Sequence, residues 1–428
     1  MTTRRGILAA SLASPFIVSS AARAQSNAPL QVLSHRVHQT VATGRQGGDI
    51  TQPFTQATGA PVQWTTFDTG PLWERVQREA TLPQTGVDVV FLLNTQVSPR
   101  AASLFEPLDA RMSSKPIEDP ADVFPGLIEG YKVGGALTAI PFRHASSGLH
   151  YNAELFGERG MSGPPKTIEE MAEFAKRATH RRGDGTPVTG LVMPGVTYPN
   201  VIDLARAWNG DFITPDFRCT ADQPPMLNAV KLLRELFQAG AFPRNFATIS
   251  TEDVNTWMQQ GRGAMALNSM GRNRIYNDPQ RSKFPGKVHT IAVPISETLR
   301  SQFEVAPAKV EFWGMAIPRN AQRKDLSWQF IQTMVTKPAT LAAALNGNGP
   351  VRNSTYEDNR FRELIPYADE ERRVLRVARV PLPAFDEAPR AGDIFKEETE
   401  AAVLGMKTPE AAMASVVQRV TPLLPRNS

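Results

Sequence analysis

The sequence predicts an α/β fold of layered, mainly parallel sheets with helices on their faces. Three features carry that prediction. Short β-branched runs alternate with amphipathic stretches from residue 30 onward, one run is apolar without polar alternation, and the pattern continues nearly to residue 420 with no long low-complexity linker. No internal repeat marks a solenoid.

Residues 30–33 read as the first strand. Residues 49–58 read as a helix that Gly59 closes, because glycine takes the left-handed C-terminal position without a Cβ clash. A strand over 62–66 and a helix over 71–80 follow. Residues 87–93, VDVVFLL, predict a strand covered on both faces. The stretch 134–151 breaks the rhythm: two strand-like runs flank a polar segment with no helix between them, which marks a crossover between domains. Thr167-Ile168-Glu169-Glu170 is a capping box opening a helix with apolar Ile168, Met171, Ala172, Phe174 and Ala175. Met226, Leu227, Val230, Leu233, Leu236 and Phe237 recur at helical spacing before Gly240 and are assigned to the core. Strands over 264–267 and 312–317, a helix over 324–336 ended by Lys337-Pro338, and a last helix capped by Thr408-Pro409 complete the chain. Domains joined by such short crossovers suit hinge closure around a ligand.

The chain has 428 residues, 41% hydrophobic and 21% charged, enough for roughly two to three globular domains. This excludes a disordered chain and a small disulfide scaffold. Cys219 is the one cysteine, so no intramolecular disulfide forms, and it is assigned as a small hydrophobe in a loop. The net charge of +5 raises nucleic acid, anionic membrane and acidic substrates as partners. Residues 1–24 reduce that question. They hold Arg4-Arg5, an apolar run over 7–18 too short to span a bilayer, and Ala22-Arg23-Ala24 before Gln25, the pattern of an export signal of twin-arginine type. Cleavage after Ala24 removes three arginines and no acid, lowering the charge from +5 to +2 and placing the mature protein in the periplasm. The remaining basic residues are scattered, which argues against nucleic acid.

Catalytic and cofactor signatures are absent: no G-x-S-x-G, H-E-x-x-H, C-x-x-C, P-loop or G-x-G-x-x-G occurs. His35 and His38, three apart, would suit a metal only with a converging third ligand, and loop histidines are the better reading. No metal, cofactor or enzymatic activity is expected.

Several segments in order resemble the extracellular solute-binding proteins of bacterial ABC importers, in the family that includes maltose- and glycerol-phosphate-binding proteins. They are Phe54 with Thr58-Gly59-Ala60-Pro61-Val62, Gly86-Val87-Asp88-Val89-Val90, Phe105-Glu106-Pro107-Leu108-Asp109, and Ile140-Pro141 with Leu149-His150-Tyr151-Asn152-Ala153-Glu154-Leu155-Phe156. Pro164-Pro165-Lys166-Thr167-Ile168-Glu169-Glu170, Gly261-Arg262-Gly263-Ala264-Met265, and Trp313-Gly314-Met315-Ala316-Ile317-Pro318 before a helix with Trp328, Phe330 and Ile331 extend the match over nearly the whole mature chain. The resemblance implies two α/β lobes facing across a cleft, with crossings near 141–147, 309–312 and 346–352. The first lobe would hold 25–142 and 313–347, the second 143–310 and 348–428. The implied partners are a small polar solute and the transmembrane permease subunits, with no membrane insertion of the mature chain and a monomeric state.

Within that frame the ligand-binding residues are expected at strand C-termini and crossings. Ser34, His35 and Arg36 follow the first strand; Asn94, Thr95 and Gln96 follow the strand ending at Leu93. Arg143, His144 and Ser146 lie in the first crossing, Glu311, Phe312 and Trp313 in the second, Asn348 and Arg352 in the third. Asn268, Ser269 and Arg272 follow the strand ending at Leu267, and Tyr198 and Trp208 are stacking platforms or core, while Trp64 and Trp73 are left as packing. The segment after the first strand lacks the aromatic-acidic pattern often seen in sugar binders of this family. A carbohydrate or polyol is the favoured solute. Arg36, Arg143, Arg272 and Arg352 keep an acidic solute, such as a sugar acid or phosphodiester, as the alternative.

Overall fold

The computed structural model describes residues 28–425. Their apolar side chains gather into two large cores, one running from Leu30 to Phe142 and again through Val310–Ala344, the other from Leu149 to Ala308 and again near the C-terminus. In the first lobe, β1 (Leu30–His35) lies between β2 (Val62–Phe67) and β3 (Val89–Leu93), parallel to both. Val89 to Leu92 of β3 are all buried, as the unbroken apolar run predicts. In the second lobe, β5 (Pro187–Val192) runs parallel to β6 (Gly263–Ser269), with the two-residue strand His180–Arg181 on its edge.

Two long strands join the sheets. β4 (Ile140–Asn152) is one continuous thirteen-residue strand. Its first half pairs antiparallel with β8 (Val310–Ala316), its second half with β6 and with β7 (Val288–Ile291). β8 in turn pairs antiparallel with β3, so the strand order is β2-β1-β3-β8-β4-β6-β5 and one hydrogen-bonded ladder runs through both lobes. The sequence reading expected two runs separated by a polar segment at residues 143–147. The polar residues remain in strand because β8 on one side and the third crossing on the other satisfy their backbone groups.

The third crossing is clamped to β4. His144 N donates to Gly349 O at 3.1 Å, and Asn348 Nδ2 donates to Phe142 O at 2.9 Å. A Cβ on Gly349 would lie 2.2 Å from His144 O, so the close approach requires glycine there. Arg352 follows, 0% exposed, its guanidinium donating to Val335 O, Asp119 O and Glu118 O with Asp122 beside it. Arg352 was expected in the cleft; these three carbonyls consume its donors and make it a brace between the crossing and the first lobe.

Local signals behave as their chemistry dictates. Gly59 caps its helix at φ 74°, and Thr167 and Thr408 accept from Glu170 N and Ala411 N. Lys337-Pro338 ends the helix Lys324–Met334 and also opens another, Lys337–Leu345, since proline fits the first turn where its missing N–H is not needed. The segment after the third crossing, expected wholly in the second lobe, divides: Tyr356, Phe361 and Leu375 join the first core while Val374, Leu382 and Phe385 join the second.

Replacing Arg352 with methionine should lower unfolding free energy by roughly 3 kcal/mol, because three buried carbonyls and a carboxylate lose their donor. A urea midpoint within error of wild type would refute the bracing role.

Candidate functional site

Side-chain alternation on the β4–β8 pair decides what faces the space between the lobes. Arg143 is paired with Trp313 and Ala145 with Glu311, and cross-strand partners share a face. These four residues are partly exposed and form the cleft floor, while Phe142, His144, Ser146 and Phe312 point the other way and are buried. His144, Ser146 and Phe312 were expected to touch ligand; strand period two buries all three, although His144 also borders the hollow beside β4. There, His144 Nε2 lies 2.9 Å from the Tyr356 hydroxyl, which donates to Glu371 Oε2, and Ser146 Oγ donates to Glu371 Oε1. The Tyr356 proton is committed to Glu371, so His144 Nε2 carries hydrogen and donates to the tyrosine oxygen.

β1 runs directly into the helix α1 (Arg36–Ala42), which sequence reading left as loop. His35 is its N-cap: His35 Nδ1 accepts from Val37 N at 3.1 Å, and His38 Nδ1 accepts from His35 N at 3.3 Å. A histidine pair replaces the usual Ser-x-x-Glu box, a signal that propensity rules do not carry. The Trp313 ring packs against both, 5.9 Å from His35 and 5.0 Å from His38 between centroids. Burial holds both imidazoles below their ordinary pKa, with the Arg143 cation adding to the effect, so they are neutral caps. Ser34 is fully buried, its hydroxyl on His35 O. Arg36 turns to solvent and pairs with Asp68 at 3.2 Å.

At the end of β3, Asn94 is buried and its Oδ1 accepts from Phe312 N, so it locks β8 rather than facing ligand. Gln96 reaches the cleft. On the second lobe, Asn268 Nδ2 donates to the Tyr276 hydroxyl, Ser269 lines the cleft, and Arg272 lies 3.7 Å from the exposed Glu252. Trp208 packs on the second core. Cys219 also packs there, its thiol pushed up to about 11 by burial.

Two hollows flank the hinge strands on opposite sides. One, about 680 Å³, lies beside β4, bounded by Arg143, Ala145, Ser269, Arg274, Asn348 and Tyr367 among others. The other, about 940 Å³, lies beyond β8, between Gln96 and Trp73 of the first lobe and Tyr198 and Phe385 of the second. Ser98 Oγ donates to Asp386 Oδ1 at 2.5 Å across its mouth. Burial, with Glu311 nearby, pushes the Tyr198 hydroxyl up to about 12, so it stays protonated and able to donate. Arg274, Tyr367 and Asp386 escaped the sequence reading because they come from helices and loops distant in the chain, while Trp73, read as packing, packs on the first core and also borders the second hollow. Ala145 alone had a readable signal, its two-residue spacing from Arg143. Among the described residues no group of three or more His, Cys, Asp or Glu could hold a metal, and no helix is long and apolar enough to cross a membrane.

Residues 49–365 match the family of bacterial extracellular solute-binding proteins. The chain belongs to this family. Its curated relatives include a probable amino-acid ABC transporter periplasmic-binding protein of Sinorhizobium fredii, 21% identical over 99% of this chain and 98% of that one. The sn-glycerol-3-phosphate-binding periplasmic protein UgpB of Pectobacterium atrosepticum is 25% identical over 71% of this chain and 70% of its own. A probable ABC transporter-binding protein of Deinococcus radiodurans is 26% identical over 40% of this chain, which spans only 42% of that protein's length. Among solved structures, the sugar-binding protein MalE of Xanthomonas citri superposes with a TM-score of 0.78 at 20% identity, covering 92% of this chain and 97% of its own, which shows the two-lobed fold. This solute-binding protein is the capture component of an ABC importer, and its relatives are binding proteins. The signal expected at residues 1–24 lies outside the described residues.

His150 supplies a pH dependence. Its Nε2 donates to Ser269 O at 3.1 Å and its Nδ1 accepts from the Thr290 hydroxyl at 2.7 Å, and burial lowers its pKa to about 4, as it lowers that of His144 to about 3. The unfolded chain takes up these protons near pH 6.5, before the native state does, so stability is full above that pH and falls as pH drops toward 4. Burial of Glu371 acts in the opposite sense, since its pKa is raised. His150→Gln should flatten the urea-midpoint profile between pH 6.5 and 4. An unchanged slope would show that His150 does not titrate on unfolding.

Proposed function

We propose that the solute is a small polyhydroxylated molecule, of sugar or polyol class, bound over the cleft floor and released to the transmembrane permease subunits. The observation that carries this reading is the exposed face of the hinge strands: Trp313 offers a partly exposed aromatic ring, paired with Arg143 and two residues from Glu311, between a hollow bounded by Arg143 and Ser269 and another bounded by Gln96. A ring or polyol chain presents C–H surface to the indole and hydroxyls to the side chains around it. Because ligand contacts come from two bodies joined by the hinge strands, binding favours the closed arrangement by the contacts made only there. The name of the X. citri sugar-binding protein MalE supports a solute of this class, and that of UgpB, a binder of sn-glycerol 3-phosphate, supports the acidic alternative. The protein acts as a monomer in the periplasm and binds without turnover.

A thermal-shift screen of sugars, polyols and sugar acids against the mature chain tests this. A solute at one hundred times its Kd adds about 2.7 kcal/mol to stability. Trp313→Ala should weaken binding of the best solute roughly 30-fold, the effect of removing a buried aromatic anchor. Wild-type affinity in that variant would place the solute elsewhere, and consumption of a stabilising solute would overturn the binding-only reading.

A further inference from the structure

The four arginines near the cleft have different fates. Arg352 is consumed by backbone carbonyls, Arg36 is held in solvent by Asp68, and Arg272 leans toward Glu252. Arg143 makes no side-chain hydrogen bond or ion pair among the described residues, and its Nη1 is fully enclosed with no partner. A guanidinium does not shed its proton, so the enclosed cation persists and is costly. Burial and the neighbouring Arg272 both act against its charge. The acid it senses, Glu371, lies beyond ion-pair distance, and both its oxygens already accept hydrogen bonds from Ser146 and Tyr356. Within the same hollow, Asn348 Oδ1 is enclosed without a donor, its Nδ2 being committed to Phe142 O. Arg274 adds a second cation to the wall.

We propose that the captured solute is an oxyanion bearing hydroxyl or amine donors, a hydroxylated carboxylate or phosphate ester, with its anionic group on Arg143 and a donor to Asn348 Oδ1. This deepens the solute-capture reading above and rests on it. Carboxylate and phosphate oxygens match the planar guanidinium fork, and charge-assisted bonds in an enclosed site are stronger than those to neutral hydroxyls. The protein keeps an unmatched donor and an unmatched acceptor in one hollow because the solute completes both. A neutral sugar would leave the enclosed charge uncompensated.

The test titrates the mature chain, at constant ionic strength, with D-gluconate, D-galacturonate and sn-glycerol 3-phosphate against D-glucose, D-galactose and glycerol, reading melting temperature and calorimetric Kd. At least one anion should stabilise the protein where its neutral counterpart does not, and whether carboxylates or the phosphate respond identifies the group. Arg143→Gln should weaken that anion roughly 30-fold or more, with Arg143→Lys in between. Without ligand, Arg143→Gln should keep a urea midpoint at or above wild type, because an uncompensated charge has been removed. Equal binding of a neutral counterpart, or an Arg143→Gln variant that binds the anion as wild type does, overturns the anionic assignment while leaving solute capture standing. A destabilised Arg143→Gln rescued by Arg143→Lys would reveal an internal partner and overturn it also. Silence from the whole panel, neutral solutes included, sinks both readings.

Discussion

The antiparallel pairing of β4 with β8 is the constraint on which the rest of the molecule depends. β4 belongs to both sheets, so neither lobe completes its ladder without the crossing strands, and the register at the hinge is set by hydrogen bonds at both ends. That register has a direct chemical consequence. Shifting it by one residue would exchange Arg143 and Ala145 for His144 and Ser146 at the cleft floor. The third crossing adds a lock, because Gly349 lies too close to His144 for any side chain and Arg352 ties the following backbone to the first lobe.

Polar residues at the hinge therefore sort into two populations. One is interior and hydrogen-bonded within the protein: the Tyr131 hydroxyl sits within 2.7 Å of Leu92 O and 3.0 Å of Phe312 O, Asn94 holds Phe312 N, and His144 Nε2, Tyr356 and Glu371 form a chain. Such groups keep the lobe edges in fixed geometry. The other population faces the cleft and is incompletely satisfied, with Arg143 and Asn348 the clearest cases. Buried polar groups without partners are rare in native proteins, and among those of this chain Arg143 Nη1 and Asn348 Oδ1 belong to residues that bound one hollow.

Much of the fold was legible along the chain. The alternation of strands and helices, the apolar run of β3, and the caps at Gly59, Thr167 and Thr408 are local signals that read the same in the structure, whereas the two runs expected over 134–151 merge into the one strand β4. Less was legible at the site. The rule that strand ends carry ligand groups could not choose between adjacent residues on opposite faces, so Phe312 was taken with Trp313 and His144 with Arg143. Helix α1 was missed because its cap is a histidine, which ordinary capping rules do not rank. Arg352 was misplaced because an arginine bound to backbone carbonyls has the same local sequence as one awaiting an anion.

The sequence by itself determined the class of fold, because that rests on hydrophobic period and turn chemistry, which act over a few residues, and its resemblance to known proteins gave the solute-binding family. Only the tertiary structure decided which face of the hinge strands is exposed and that Arg143 remains unpaired there. Those outcomes depend on pairing register and on partners more than 100 residues away, such as Glu371 for Ser146 and Gly349 for His144, and a local pattern does not contain them.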